Sequence, residues 1–432
     1  MSGRCNTESL PCCCLHLPPV VLPPGVLTVP FAAAVTCNHP VTEMEGPPVV
    51  TSLVVKKVAP EDAQFGYRPM SVRLAAATLQ DLTVNDIGSW PEGALAAFFS
   101  TRSTFPALRV LELGSTYFGK AVKDAAVGAA IAASCPLLKT LRVGTKIDAG
   151  FGSALSVASD ALPELISVTC SLQGVDDLVE LASLLRGRSL DAIELHGWIP
   201  HVSMGFPGIN GTEGGLCVDA ILGCERLPAK LVLETTAPCV EDCLRLLEDA
   251  RAATDVRRLW LPALFDIAAV LHEMPLLPAL SELHLTMGMG PIDMSVPFNR
   301  LHGLIPVYRH SLNTWVVPPV LTTLSLTVGS PISAGEQPLV PPPMVAGVLG
   351  AVAASPAMTT LADVRLWPWG VDAGLEAAVA ALGNAPALRS LRIGGLPPVT
   401  LMLESGRIDR IRESLPQVEV VVVSALQEAY GM

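Results

Sequence analysis

The octapeptide PALRVLEL at 106–113 returns in altered form along most of the chain, and this recurrence constrains the fold more than any other feature. Written as Pro-x-Leu-x-x-Leu-x-Leu, it reappears as PLLKTLRV (136–143), PELISVTC (163–170), PALSELHL (278–285), PVLTTLSL (319–326) and PALRSLRI (386–393). Looser copies occupy 48–55, 77–84, 188–195, 254–261, 359–366 and 416–423, and a shortened one ends at Leu233. Successive copies end 24 to 30 residues apart, apart from three longer intervals of 38, 41 and 40. A unit of this size cannot bury its own apolar face, so such units must stack side by side. An open stack also accommodates 432 residues, more than the roughly 250–300 at which a closed core stops growing.

Within each copy, alternation predicts a short strand whose last two apolar residues point inward. Between copies the pattern becomes helical. In GVDDLVELASLLRG (174–187), Val175, Leu178, Val179, Ala182 and Leu185 share one face, expected to be the buried one. Asp176 and Asp177 suit the positive end of that helix, and Gly187 suits its stop. GLEAAVAALGNAP (374–386) repeats the plan with Leu375, Ala378, Val379 and Leu382. The proline opening the next copy keeps the helix from continuing. Strand, helix and strand at this period give parallel strands joined by right-handed crossovers.

On these in-register copies, the chain resembles the leucine-rich repeat family, in particular its long-repeat, ribonuclease-inhibitor-like branch, over roughly residues 48–424. The resemblance implies an α/β solenoid, a horseshoe with a parallel concave sheet and helices on the convex side. The family places Asn or Cys three residues after the strand motif, where this chain has Thr116, Lys146, Gln173, Trp198 and Gly329, so its turns are expected to differ. The long intervals read as insertions near 197–227, 287–318 and 328–345. Residues 1–47 read as a Pro/Cys-rich leader whose order the sequence does not fix, and 425–432 as a tail.

A formal charge of −12 argues against nucleic acid, whose binding needs clustered positive charge. Residues 10–42 carry no Asp, Glu, Lys or Arg, yet Pro18, Pro19, Pro23, Pro24 and Pro30 interrupt any helical span, so no membrane role is expected. An odd count of 11 cysteines, scattered through apolar stretches, fits a reducing interior and a cytoplasmic location. Cys239 and Cys243 are spaced to share a helix face, but no local His or second pair accompanies them, so both read as buried thiols.

The stretch GSTYFGKA (114–121) approaches a phosphate-binding loop. Such a loop needs Ser or Thr after its lysine to hold Mg²⁺, and here Ala121 follows Lys120. Gly114 matches Gly144 and Gly394, which also directly follow strands, so it is explained as a turn residue. No His-Glu-x-x-His or Gly-x-Ser-x-Gly arrangement occurs. No catalytic residue, cofactor or metal is therefore assigned.

The residue between the last two apolar positions faces away from the core. That row reads Val54, Thr83, Glu112, Arg142, Thr169, Glu194, Val232, Trp260, His284, Ser325, Arg365, Arg392 and Val422, with Arg258, Glu282, Asp363 and Trp367 as outward neighbours. Trp and Arg are enriched at binding hot spots. The candidate surface is accordingly Arg142, Glu194, Trp260, His284, Arg365, Trp367 and Arg392, serving a non-enzymatic scaffold that binds a protein partner. Narrower alternatives are a ubiquitin-ligase substrate receptor, since CPLLKTLRVG looks like repeats of F-box proteins, and a small-GTPase regulator; a further one is nucleotide binding at 114–120. In this register an aspartate at core Leu283 should disrupt the array, whereas one at His284 should be tolerated.

Overall fold

The computed structural model describes residues 26–30, 51–56, 76–85, 93–100, 104–114, 124–144, 147, 149–157, 162–172, 174–197, 212–235, 240–261, 271–287, 315–328, 342–367, 371–396 and 405–424. Within them one sheet of fourteen strands runs in strict sequence order, and every neighbouring pair is parallel. Strands β1 to β7 are Val26–Pro30, Ser52–Lys56, Asp81–Val84, Val110–Leu113, Thr140–Val143, Ser167–Ser171 and Ala192–Gly197. Strands β8 to β14 are Lys230–Thr235, Arg258–Leu261, Glu282–Met287, Thr323–Val328, Asp363–Leu366, Ser390–Leu396 and Glu419–Ser424. The helices between them include α1 (Ala94–Ser100), α2 (Ala125–Ser134), α3 (Phe151–Val157), α4 (Val175–Leu185), α5 (Thr212–Leu222) and α6 (Val240–Leu247). They continue with α7 (Pro342–Ala353), α8 (Ala373–Ala381) and α9 (Ser405–Ser414). Consecutive helices pack on one another from α1 to α6 and again from α7 to α9.

Alternation along each strand sorts the side chains. Leu111 and Leu113, Leu141 and Val143, Val168 and Cys170, and Ile193 and Leu195 are all buried, while Glu112, Arg142, Thr169 and Glu194 between them are not. Register carries each inward pair onto the next, as in Leu111↔Leu141↔Val168↔Ile193. The helices cover this side of the sheet, so each repeat seals its core against its neighbours.

The recurrent proline occupies the second position of a β-turn. An N–H···O=C bond closes each turn, from Leu108 to Phe105, Leu138 to Cys135, Leu165 to Leu162, Leu280 to Leu277 and Leu388 to Ala385, at 3.1–3.2 Å. Proline fixes φ near −65°, which that position requires. After each turn two successive N–H groups converge on one carbonyl of the preceding repeat, as Lys139 and Thr140 do on Arg109. The proline thus aims the strand, and Pro136 and Pro386 also directly follow a helical C-cap, at Cys135 and Ala385.

Three findings depart from the sequence reading. The sheet starts upstream of residue 48, because β1 pairs with β2 through Leu27↔Leu53 and Val29↔Val55. Strand β14 sits one residue earlier than its motif suggests: Arg392 pairs with Val421 and Ile393 with Val422, so Val421, not Val422, closes the outward row. A run of valines has no alternation to fix register, and a slip of one residue exchanges its faces. On α4, Val175 and Val179 are exposed, Val179 by 51%, while Asp177 and Glu180 are buried. The interval at 197–227 contains α5, packed on α4 as the other helices pack on their neighbours.

The buried carboxylates on α4 explain that reversal. Glu180 accepts hydrogen bonds from the backbone N–H groups of Gly150 (2.8 Å), Gly152 (2.9 Å) and Ser153 (3.4 Å), which belong to the start of α3. Asp177 accepts from Ile147 N at 2.8 Å and from Gly174 N at 3.2 Å. One repeat therefore caps the helix of the previous one, satisfying donors that a helix start leaves open. At the other end Arg188 donates to the carbonyls of Leu184 (2.9 Å), Leu162 (3.3 Å) and Leu155 (2.8 Å). Arg251 does the same for Leu222 (3.1 Å) and Cys224 (2.7 Å). Helices approach closely through glycine: a Cβ on Gly128 would lie 2.6 Å from the Phe151 carbonyl oxygen, and one on Gly152 would overlap the carbonyl of Glu180.

Among the described residues, Cys135, Cys170, Cys217, Cys224 and Cys243 are buried thiols, and burial pushes the Cys217 thiol up to about 12. No helix of the described residues is long and apolar enough to cross a membrane. Cys239 lies outside the described residues.

A pair of glycine variants separates close approach from helix propensity. Gly152→Ala is expected to destabilise the protein by about 1–3 kcal/mol through backbone overlap. Gly350→Ala, on α7 with nothing within 4 Å of its Cβ, is expected to be neutral or stabilising by up to about 1 kcal/mol. Urea unfolding of both checks this, and equal effects would refute the packing assignment.

Candidate functional site

On the side away from the helices, each strand presents alternate residues, so register builds three columns across the sheet. The middle column runs Thr83, Glu112, Arg142, Thr169, Glu194, Val232 and Trp260, then His284, Ser325, Arg365, Arg392 and Val421. Two residues earlier on their strands stand Lys230, Arg258, Glu282 and Asp363; two later stand Ser171, His196 and Glu234. Six of the seven residues singled out from sequence lie in the middle column, and Trp367 directly follows β12.

Charges on this face answer one another across strands. Arg142 reaches Glu112 at 3.4 Å, an exposed pair at the N-terminal end of the face. Lys230 reaches Glu194 at 2.6 Å, and His196 Nδ1 lies 2.8 Å from Glu234 Oε2 and its Nε2 3.7 Å from Glu194. Arg365 holds Asp363 at 2.8 Å within its own strand. An exposed pair such as Arg142–Glu112 adds little stability, about 0–1 kcal/mol, but all these pairs fix where charge stands.

The centre is aromatic. Trp260 and His284 stack with ring centroids 3.7 Å apart and planes 3° from parallel, and Lys230 Nζ lies 5.5 Å from the Trp260 ring. An ammonium within about 6 Å of an indole is attracted by its negative face. Lys230, from the first column on β8, and His284, from the middle column on β10, thus both meet Trp260 on β9. His284 is only 7% exposed, and Ser325, between His284 and Arg365, only 1%. The expectation that an aspartate is tolerated at His284 is corrected accordingly: lateral neighbours bury this residue although it faces away from the core.

The two histidines are driven in opposite directions. The hydrogen bond to Glu234 is the largest influence on His196 and raises its pKa, while His196 in turn lowers that of Glu234. Burial first, and the positive charge of Arg365 second, lower His284 to about 4. His284 is therefore a neutral ring at physiological pH.

At the C-terminal end, Trp367 lies over β13. A Cβ on Gly394 would come within 2.7 Å of the indole, so only glycine admits the ring there, and the Arg392 guanidinium stands 5.8 Å from it. Trp260 and Trp367 are both half-buried.

Residues 115–120 of the phosphate-loop motif lie outside the described residues. Gly114 donates its N–H to Val84 O at 2.8 Å, as Gly144 does to Leu113 O, so that amide is committed to the ladder. The turn positions Thr116, Lys146, Gln173, Trp198 and Gly329 also lie outside. Among the described residues no three His, Cys, Asp or Glu side chains are grouped to hold a metal ion. Sequence reading did not single out Lys230, His196 and Glu234; the signal was their place, two residues either side of the middle column. No protein-family model and no curated protein matches the chain.

The histidines make pH a direct check. His284 has a lowered folded pKa, so the stability tied to its neutral form is complete above about pH 6.5 and is lost as pH falls toward about 4. His284→Phe, which keeps a flat ring against Trp260, should reduce the fall in melting temperature between about pH 7.5 and pH 5. His196 has a raised pKa, so its contribution is full below about pH 6.5 and fades as pH rises; His196→Gln should lower the melting temperature at about pH 5.5 more than at pH 8. Thermal unfolding across this range that leaves both slopes at the wild-type value would contradict the two assignments.

Proposed function

We propose that this chain is a leucine-rich-repeat solenoid of the horseshoe type acting as a non-enzymatic scaffold, with its uncovered sheet face as the binding surface for a protein. One observation carries the reading: the middle column places a half-buried Trp260, stacked on His284 and approached by Lys230, among charged residues already fixed by their neighbours. Fixed aromatic and guanidinium groups lose little conformational freedom on association, which is what hot spots exploit. The parallel sheet in sequence order and the helices along its other side support the architecture. The scattered buried thiols agree with a reducing, cytoplasmic setting.

The function is tested by comparing the proteins that copurify with the wild type and with two variants of equal melting temperature. Trp260→Ala combined with Arg365→Ala should lose specific partners by about tenfold or more. Ala129→Glu, on an exposed position of α2, should retain them. Loss with the helix variant alone would move the binding surface to the other side of the molecule.

A further inference from the structure

The sheet has two edges, β1 and β14, and they differ in what they offer to a further strand. β1 ends in Pro30, which has no N–H to donate. β14 reads EVVVVS: it has no Pro, Gly or Lys and, after Glu419, no charge, so it lacks the devices by which edge strands resist pairing. Glu419 donates its N–H to Arg389 O at 2.8 Å, and the ladder turns Val421 and Val423 to the same side. The N–H and C=O groups of Val420 and Val422 therefore point away from β13, and no strand among the described residues pairs with that side. The side chains agree. The inward pair is at most 4% exposed on every strand from β2 to β13, whereas Val420 and Val422 are only half-buried and the outward Val421 is 37% exposed. The helix layer is finished here: α9 buries Ile408 and Ile411 and presents Asp409, Arg412 and Glu413 to solvent, with Arg412 3.3 Å from Asp409. A polar outer helix is how a repeat array closes its end. The array is thus closed in its helix layer and open in its strand layer, which calls for one more strand and not one more repeat.

We propose that the free edge of β14 pairs antiparallel with β14 of a second copy of this chain, about a two-fold axis that passes through the sheet at Val421. The valine run reads the same in both directions, so an inverted copy sets apolar residues against apolar ones. Opposed residues of an antiparallel pair share a face, so Val421 meets its own counterpart on the open face and Val420 meets the counterpart of Val422 on the covered one. Val420 and Val422 are also the residues whose backbone groups face outward, and across this axis they exchange N–H···O=C bonds. The two Glu419 carboxylates stand at opposite ends of the seam, and the outer residues of α9 carry both signs, so the formal charge of −12 is not concentrated there. A head-to-tail contact of β14 with β1 would meet the edge that carries Pro30 and would grow without closing, whereas the two-fold contact closes on itself. The pairing is independent of what the open face binds.

Sedimentation velocity of the full-length chain from about 1 to 100 μM tests this, and a monomer–dimer equilibrium is expected within that range. Val421→Lys places two ammonium groups opposite one another at the axis without entering the core, and should weaken the dimer about tenfold or more. Val421→Thr, equally β-branched and uncharged, should keep the dimer and guards against a folding defect at this position. A chain that stays monomeric throughout, a dimer that Val421→Lys leaves intact, or species that keep growing past the dimer with concentration would each overturn the proposal. So would a dimer that forms only after residues 425–432 are removed, since the edge would then belong to that segment of the chain.

Discussion

The inward pair of residues on each strand can leave water only against the strand and helix of the next repeat. Leu111 and Leu113 need Leu141 and Val143, and these need Val168 and Cys170. Hydrophobic burial is non-directional, so it does not by itself choose a register. Parallel backbone pairing makes that choice, with the proline turn delivering each strand at the same height. The remaining contacts follow from it: Glu180 meets the start of α3 and Arg188 its end because successive helices are held in step by the sheet.

Separating the two faces of the sheet also separates their chemical tasks. The covered face varies little: Leu, Val, Ile and Cys fill equivalent places from β2 to β13. The open face varies freely, from Glu112 and Arg142 through Trp260 and His284 to Arg365 and Arg392, and its backbone remains the same. Distinct local chemistries are therefore carried on one rigid lattice, and changing one need not disturb the next. His284 marks a limit to this independence, because a large side chain beside Trp260 turns an outward position into a buried one.

Most of the strand register was legible in the sequence because Leu-x-x-Leu-x-Leu fixes both phase and face. It failed at β14, where Val420 to Val423 carry no phase information, and it missed β1, whose Leu27 and Val29 keep only the last two positions of the motif. Helix faces were legible on α8, where Leu375 and Val379 are buried together with Leu382 at its C-terminal cap, but not on α4. There, the rule that carboxylates face water gave way to the unmet amides of α3. For the candidate surface, the middle column was readable and its lateral consequences were not. Trp260 and His284 occupied equivalent places in consecutive copies, so their neighbourhood was visible. The burial it imposes on His284 depends on ring orientation, which spacing alone does not encode.

Four of the polar ties on the helix side of neighbouring repeats span a nearly constant chain distance. Glu180 reaches Gly150, Asp177 reaches Ile147, Arg188 reaches Leu155 and Arg251 reaches Leu222. Every such tie joins a repeat to the one just before it. A chain wired this way can grow by copying one unit in place, since the new copy meets the same partners on both sides. Lengthening the molecule then requires no redesign of its interior, and its outer lattice gains one more strand on which new chemistry can be tried.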